Sequence, residues 1–185
     1  MGTTNRYHSA AIVLHWLIAL GLVFMFGSGL YMVNADISKA EQYRLFQLHK
    51  SAGVLMLWAI VLRLIIRWLT KQPDLPGTIA AKEQEHALWG HRLLYVAMVF
   101  MPMTGWLMVS ASSFGLPTIV FDWFKWPRIP GVRGDETVET IARLCHWYIA
   151  VTFLIGISVH IAAVVKHKYK DGINLLPRMW WSRNK

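Results

Sequence analysis

The chain has few of the residues from which soluble redox and metal enzymes are built. Its 185 residues include one cysteine, which excludes an internal disulfide and a thiolate-bound metal cluster. Charged residues make up 16% of the sequence against 55% hydrophobic residues. That balance excludes a disordered chain and argues against an ordinary soluble domain. Only 10 of the charged residues are acidic, against 19 that are basic.

Long uncharged stretches dominate the sequence instead. Three of them contain no Asp, Glu, Lys or Arg: 9–33, 93–121 and 144–165. Each is long enough to cross a bilayer, which takes about 20 apolar residues. A fourth stretch, 47–69, has an uncharged centre with Lys50, Arg63 and Arg67 near its ends. Long cationic side chains at such positions can extend to the lipid headgroups.

These stretches predict an all-α fold in which a transmembrane four-helix bundle forms a single domain over residues 1–185. The predicted helices cover about 9–33, 45–69, 86–110 and 141–165. With four spans, both termini and the middle loop lie on one side, which carries 12 of the 19 lysines and arginines. The positive-inside rule then predicts that the N- and C-termini are cytoplasmic. The net charge of +9 is thereby explained by topology, and we expect no binding of nucleic acid.

Four histidines lie within the hydrophobic stretches 9–33, 47–69 and 144–165, where such residues are costly and usually functional. Because successive helices alternate in direction, His15 and His160 lie near the inner surface, and His49 and His146 lie near the outer surface. His146 and His160 are 14 residues apart. This spacing places them within about 40° of each other on one helix face and about 21 Å apart along the axis. Two imidazole pairs at two depths predict the axial ligands of two haems.

Other interpretations of the histidines remain open. A lone histidine in a membrane helix is often a hydrogen-bonded packing residue, although the match in depth of both pairs favours ligands. Zinc or copper transport would favour ligands at one depth, often with carboxylates, which the spans lack. A haem with two axial histidines has no open iron position, so this arrangement predicts electron transfer rather than oxygen activation at the metal.

Several segments resemble the prokaryotic cytochrome b561 family, in order and over nearly the whole chain apart from the outer loops. These are RYHSAAIVLHWL, LHKSAGVL, RLIIRW, GHRLLY with MPMTGW, and LCHWYIAVTFLIGISVHIAAVVKH. The resemblance implies a multi-pass protein of the bacterial inner membrane. It also implies that His15 and His160 hold an inner haem b, and that His49 and His146 hold an outer haem b.

The best-understood type member of that family is a superoxide oxidase, which implies that this chain is a superoxide:ubiquinone oxidoreductase. Its partners would then be the quinone pool and superoxide, or a periplasmic redox partner. The alternative is a non-enzymatic electron relay or membrane anchor for a separate redox protein. The substrate at each end is harder to predict than the electron path.

Two groups of residues are secondary candidates. His167 follows His160 by two helical turns, and the resemblance suggests that it borders a quinone site; a solvated interfacial histidine is the alternative. His91 could hydrogen-bond a haem propionate or the quinone, or merely bridge helices. Near the outer haem, Arg44, Lys50 and Arg143 could either neutralise propionates or attract an anion such as superoxide.

Overall fold

The computed structural model describes residues 6–181, and four long α-helices account for most of them. Each helix is long and apolar enough to cross a membrane, which confirms the predicted helical class and the number of spans. A small antiparallel sheet and a 3₁₀ helix complete the described part of the chain. The elements in order are α1 (Ser9–Asn34), α2 (Lys39–Leu69), α3 (Ala81–Ala111), β1 (Thr118–Val120), β2 (Phe124–Trp126), α4 (Glu136–Tyr169) and the 3₁₀ helix (Leu176–Met179).

Helices α2, α3 and α4 begin about five residues earlier than predicted, and in α2 and α4 a capping side chain sets the start. Ser38 caps α2 by accepting a hydrogen bond from the backbone N–H of Glu41, at 3.2 Å. Asp135 caps α4 in the same way through the N–H of Val138, at 3.0 Å. Such side chains satisfy donors that the first helical turn leaves unpaired. The apolar stretches therefore predict the membrane-embedded part of each helix and miss its polar extensions.

An apolar layer crosses the middle of the bundle. Its buried residues come one from each helix: Ile18, Ile60, Met98 and Phe153. Phe153 is seven residues from His146 and seven from His160, so the layer lies midway between the two histidine levels on α4. The ring of Phe26 packs edge-on against Phe153, with centroids 6.0 Å apart. The two levels are therefore separated by side chains that carry no ionisable group.

The long connection between α3 and α4 lies at the end of the bundle that is predicted to face outward, called the outer end below. It folds back onto that half of α2. Strands β1 and β2 pair antiparallel within it. The hydroxyl of Ser51 donates to the carbonyl of Ile119 at 2.8 Å and accepts from the N–H of Phe121 at 3.3 Å. The ring of Trp58 stacks on Phe124 with an interplanar angle of 8°. The sequence predicts only a loop here, and these contacts show how α2 holds a hairpin in place.

The C-terminal segment closes the opposite end of the bundle, called the inner end below. The guanidinium of Arg178 donates to the carbonyl of Asp74 in the middle loop at 2.7 Å. The N–H of Tyr7 donates to the carbonyl of Arg178 at 3.2 Å. The indole N–H of Trp16 on α1 donates to the carbonyl of Met179 at 2.7 Å. The N-terminal segment, the middle loop and the C-terminal segment are thus joined at one end.

Replacing Phe153 with alanine should destabilise the bundle, because Phe153 is 2% exposed and contributes to the layer where all four helices meet. Large-to-small changes of this kind cost about 3–5 kcal/mol in soluble cores. Leu154→Ala is the matched control, since its neighbouring side chain is 45% exposed on the outside of the bundle. Thermal unfolding in detergent, followed by circular dichroism, should show a clear loss of melting temperature only for Phe153→Ala. Equal melting temperatures for the two variants would contradict the assignment of this layer.

Candidate functional site

The structure places His49 of α2 and His146 of α4 near the outer end of the bundle, within electrostatic range of each other. Each imidazole meets a hydroxyl group from a neighbouring helix. Nδ1 of His49 lies 3.0 Å from Oγ of Ser28 on α1. Nδ1 of His146 lies 3.1 Å from Oγ1 of Thr104 on α3. The pair α1–α2 and the pair α3–α4 therefore present the same arrangement, in which a hydroxyl of one helix faces an imidazole of the other.

The direction is fixed at His146 by a second partner of its ring nitrogen. The carbonyl of Met101, which can only accept, lies 3.1 Å from Nδ1 of His146, so this nitrogen carries the ring proton and Nε2 keeps its lone pair. Each hydroxyl also has a carbonyl acceptor in its own helix: Oγ of Ser28 lies 3.3 Å from the carbonyl of Met25, and Oγ1 of Thr104 lies 2.9 Å from the carbonyl of Met101. A hydroxyl that donates its single proton to that carbonyl accepts from the imidazole. We assign the same direction to Ser28 and His49 because the two arrangements match.

A glycine lies against each outer imidazole. A Cβ atom at Gly29 would lie 3.4 Å from Cε1 of His49, and one at Gly105 would lie 3.1 Å from Cε1 of His146. The first distance is ordinary contact for a single carbon and the second is already tight. Glycine leaves room at both positions for the imidazole ring to face the hydroxyl group of the preceding residue.

Three histidines from three helices meet near the inner end. His15 of α1 lies within electrostatic range of both His91 and His160. The rings of His91 and His160 pack edge-to-face, with centroids 5.4 Å apart. Position along the chain predicts only the pair of His15 and His160, and the structure adds His91 as a third imidazole at this level.

Arg63 reaches the inner cluster from α2 and does not extend to the headgroups, as its position near the end of a hydrophobic stretch had suggested. It is 8% exposed. Its guanidinium donates to the carbonyl of Ala11 at 2.8 Å and lies 3.4 Å from Nδ1 of His15. The carbonyl of Ala11, a buried residue in the first turn of α1, accepts this bond through a second lone pair and so provides an acceptor inside the bundle, which makes the inward orientation possible.

A second guanidinium reinforces the positive charge at this level. Arg67 follows Arg63 by one helical turn, and both guanidinium groups lie over the ring of Tyr95, at 5.1 and 6.0 Å from its centroid. The i, i+4 spacing within RLIIRW places both on one face of α2, and that spacing is the sequence signal that could have identified them. The outer cluster faces hydroxyls and carbonyls, whereas the inner cluster faces cations.

His167 lies at the inner end of α4 within a group of charged side chains. Its Nδ1 is 2.8 Å from a carboxylate oxygen of Asp171. The ammonium of Lys166 contacts both Asp171, at 3.1 Å, and Glu83 of α3. The Lys166 ammonium holds the pKa of Asp171 below its usual range, with a smaller contribution from His167. Glu83, His167 and Asp171 could approach a metal ion, but Lys166 already pairs with both carboxylates, so we assign an ion-pair cluster.

The three predicted outer cations have separate surroundings. Lys50 donates to the carbonyl of Pro117 at 3.1 Å and so helps to hold the outer connection on α2. Arg143 donates to Thr140 on its own helix at 3.4 Å, and Arg44 is exposed near the outer end of α2. Contact of these residues with a propionate or a substrate anion stays a prediction.

The donor set of the outer pair fits a b-type haem, and the inner imidazoles are candidates for a second, although Nδ1 of His15 faces the Arg63 guanidinium, which has donors only. Four imidazoles come from α1, α2 and α4, and the outer pair has Nδ1 occupied by acceptors, so that Nε2 can bind iron. Glycines at the points of closest approach keep the outer imidazoles free of neighbouring side-chain carbons. Histidine ligands of metals commonly donate the other ring proton to such an acceptor. Oxygen-rich metal sites require carboxylates, and those nearest here are engaged by Lys166.

Comparison with known proteins gives a consistent result. Residues 6–182 match the family model for prokaryotic cytochrome b561. The chain is 28% identical over 178 residues to cytochrome b561 homolog 2 of Escherichia coli (strain K12), a match that covers 96% of this chain and 92% of that protein. It is 22% identical over 177 residues to cytochrome b561 homolog 1 of the same organism, covering 95% of this chain and 97% of that protein.

Proposed function

Because the chain belongs to the prokaryotic cytochrome b561 family, as its motifs predicted, we propose that it transfers electrons across the bacterial inner membrane between an outer donor and the quinone pool. As a member of this family, the protein is a multi-pass membrane protein that uses b-type haem for transmembrane electron transfer. Beyond this, we propose the number of haems, the residues that bind them and the two substrates.

His49 and His146 are the proposed axial ligands of an outer haem, and His15 and His160 those of an inner haem. The observation that carries this assignment is the matched support of the outer pair, in which each Nδ1 faces a helix hydroxyl. Bound haem would supply a one-electron carrier at each level, with both axial positions filled. The four buried side chains of the apolar layer around Phe153 carry no group that could pass a proton between the levels.

The most specific form of the proposal is superoxide:ubiquinone oxidoreductase activity. Two superoxide anions each lose one electron at the outer side and become O₂. One ubiquinone takes up both electrons with two protons from the cytoplasm and becomes ubiquinol. Arg44 and Arg143 are exposed near the outer surface and could attract the anion. At the inner side, His91 and the His167–Asp171 pair are the groups that could hydrogen-bond a quinone and deliver protons.

Single alanine variants of the four ligands should each remove one haem and leave the other. We expect His15→Ala and His160→Ala to lose the inner haem, and His49→Ala and His146→Ala to lose the outer haem, because one remaining imidazole holds iron weakly. Haem per protein, measured by the pyridine haemochrome spectrum, should fall by half in each variant.

Two further histidine variants serve as controls for that measurement. His86→Ala changes an exposed residue of α3 and should keep both haems. His91→Ala should also keep both, which separates the third imidazole of the inner cluster from the two ligands. Loss of a haem in His91→Ala together with full haem content in His160→Ala would show that the inner ligand is misassigned.

The substrate proposal predicts that the purified protein accelerates ubiquinone reduction by an enzymatic source of superoxide. Ubiquinol formation should exceed the uncatalysed rate, and it should be abolished by superoxide dismutase and by His49→Ala. No acceleration by protein with intact haem spectra would instead support the alternative, a relay or membrane anchor for a separate redox protein.

Cytoplasmic termini are also proposed, from the excess of cations on that side. Green fluorescent protein fused to the C-terminus should fluoresce, and alkaline phosphatase at the same position should be inactive. Fusions that end at Gly131, in the outer connection, should give the opposite pattern. Active phosphatase at the C-terminus would reverse the orientation and with it the assignment of inner and outer haems.

A further inference from the structure

We propose that Ser28 and Thr104 hold the outer haem at a lower reduction potential than the inner haem. They do so by accepting the Nδ1 protons of its two ligands, while Arg63 presents a positive charge to the corresponding nitrogen of His15. The inference rests on the proposed haem ligands. It assigns Ser28, Thr104 and Arg63 as positioning residues that act on the cofactors through histidine, and it gives electron flow a preferred direction.

The outer arrangement is repeated in two helical pairs, which indicates a built feature. In α1, Ser28 precedes Gly29 and contacts the histidine of α2; in α3, Thr104 precedes Gly105 and contacts the histidine of α4. Both segments follow the pattern Met-x-x-Ser/Thr-Gly, and in both the methionine carbonyl three residues earlier accepts the hydroxyl proton. The hydroxyl is thereby turned so that only its lone pairs face the imidazole.

An acceptor on Nδ1–H makes the imidazole a stronger donor to iron through Nε2. Second-shell acceptors of this kind raise ligand basicity, and electron-rich ligands favour the oxidised metal. Serine supplies one acceptor to His49. Threonine and the carbonyl of Met101 together supply two to His146. Both ligands of the outer haem are therefore biased in the same direction, towards a lower potential.

The inner level has the opposite electrostatics. A guanidinium is always charged and has donors only, so Arg63 cannot accept a proton from Nδ1 of His15, 3.4 Å away. Arg63 is almost fully buried, and charges interact more strongly where water is excluded. Arg67 lies within electrostatic reach of His91 at the same level. Positive charge near a redox centre favours its reduced state, so the inner potential is raised.

The resulting difference makes electron movement from the outer to the inner level downhill. That direction suits a donor at the outer surface and a quinone at the inner one. The same side chains would oppose a relay that carries electrons outward. Direction is thus a property of the residues beside the ligands rather than of the ligands, which are histidines at both levels.

Potentiometric titration of the purified haem-loaded protein, followed by visible spectra, tests the proposal. Ser28→Ala and Thr104→Val should each raise the reduction potential of the component assigned to the outer haem, and the double variant should raise it further. The component assigned to the inner haem should be unchanged. Thr104→Ser and Ser28→Thr keep the hydroxyl and should restore the wild-type potential. The outer component is identified as the one missing from His49→Ala.

Matched controls come from α4. Ser158 and Thr152 also donate to carbonyls one turn earlier in their own helix, and both are exposed. Ser158→Ala and Thr152→Val should leave both potentials unchanged. Arg63→Gln should lower the inner potential, while Arg63→Lys, which keeps the charge, should lower it less; the pair separates charge from the contact with Ala11.

Two results would overturn the inference. One is a shift in Ser28→Ala and Thr104→Val no larger than in the α4 controls; the other is a wild-type outer component at the higher potential. Either can occur with two haems bound and the ligand variants behaving as expected, in which case the proposed function stands. If His49→Ala retains both haems, the ligand assignment fails first.

Discussion

Placing an imidazole inside a lipid-embedded bundle requires a partner for each of its ring nitrogens, and this requirement shapes the surroundings of the proposed ligands. An unpaired polar group in the membrane costs several kcal/mol, on the order of a small domain's whole stability. At the outer level, hydroxyls from α1 and α3 satisfy Nδ1 and leave Nε2 for a metal. The glycines that follow these hydroxyls keep each helix free of side chain where the rings approach.

The same requirement explains why an arginine can be buried at the inner level. The guanidinium of Arg63 reaches the carbonyl of Ala11 in the first turn of α1, which accepts it through a second lone pair. Its charge is then held beside three histidines rather than at the headgroups. A hydropathy argument alone treats cations near the end of a span as interfacial. The arginines of RLIIRW depart from it because their partners lie inside the bundle.

Hydrophobic runs and alternating helix direction were sufficient to predict four spans and the depth of each histidine, because both depend on position along the chain. Helix ends were missed by about five residues, since Ser38 and Asp135 act by capping, outside the apolar stretches. The partners of the histidines were missed because a serine or threonine in an apolar helix resembles many that hydrogen-bond only their own backbone, as Ser158 does. Which hydroxyl meets a histidine depends on how helices are rotated against each other.

The distribution of polar groups explains how electrons and protons can be kept on separate paths. The four buried side chains of the layer, Ile18, Ile60, Met98 and Phe153, have no ionisable group. In the proposed arrangement electrons would cross this layer by tunnelling between the two cofactors, whereas a proton needs a chain of polar partners. Groups able to exchange protons with water, His167 and Asp171, are at the inner end. A two-electron, two-proton acceptor is therefore better placed there than at the outer side, where the residues that meet the histidines are a serine, a threonine and carbonyls that do not titrate.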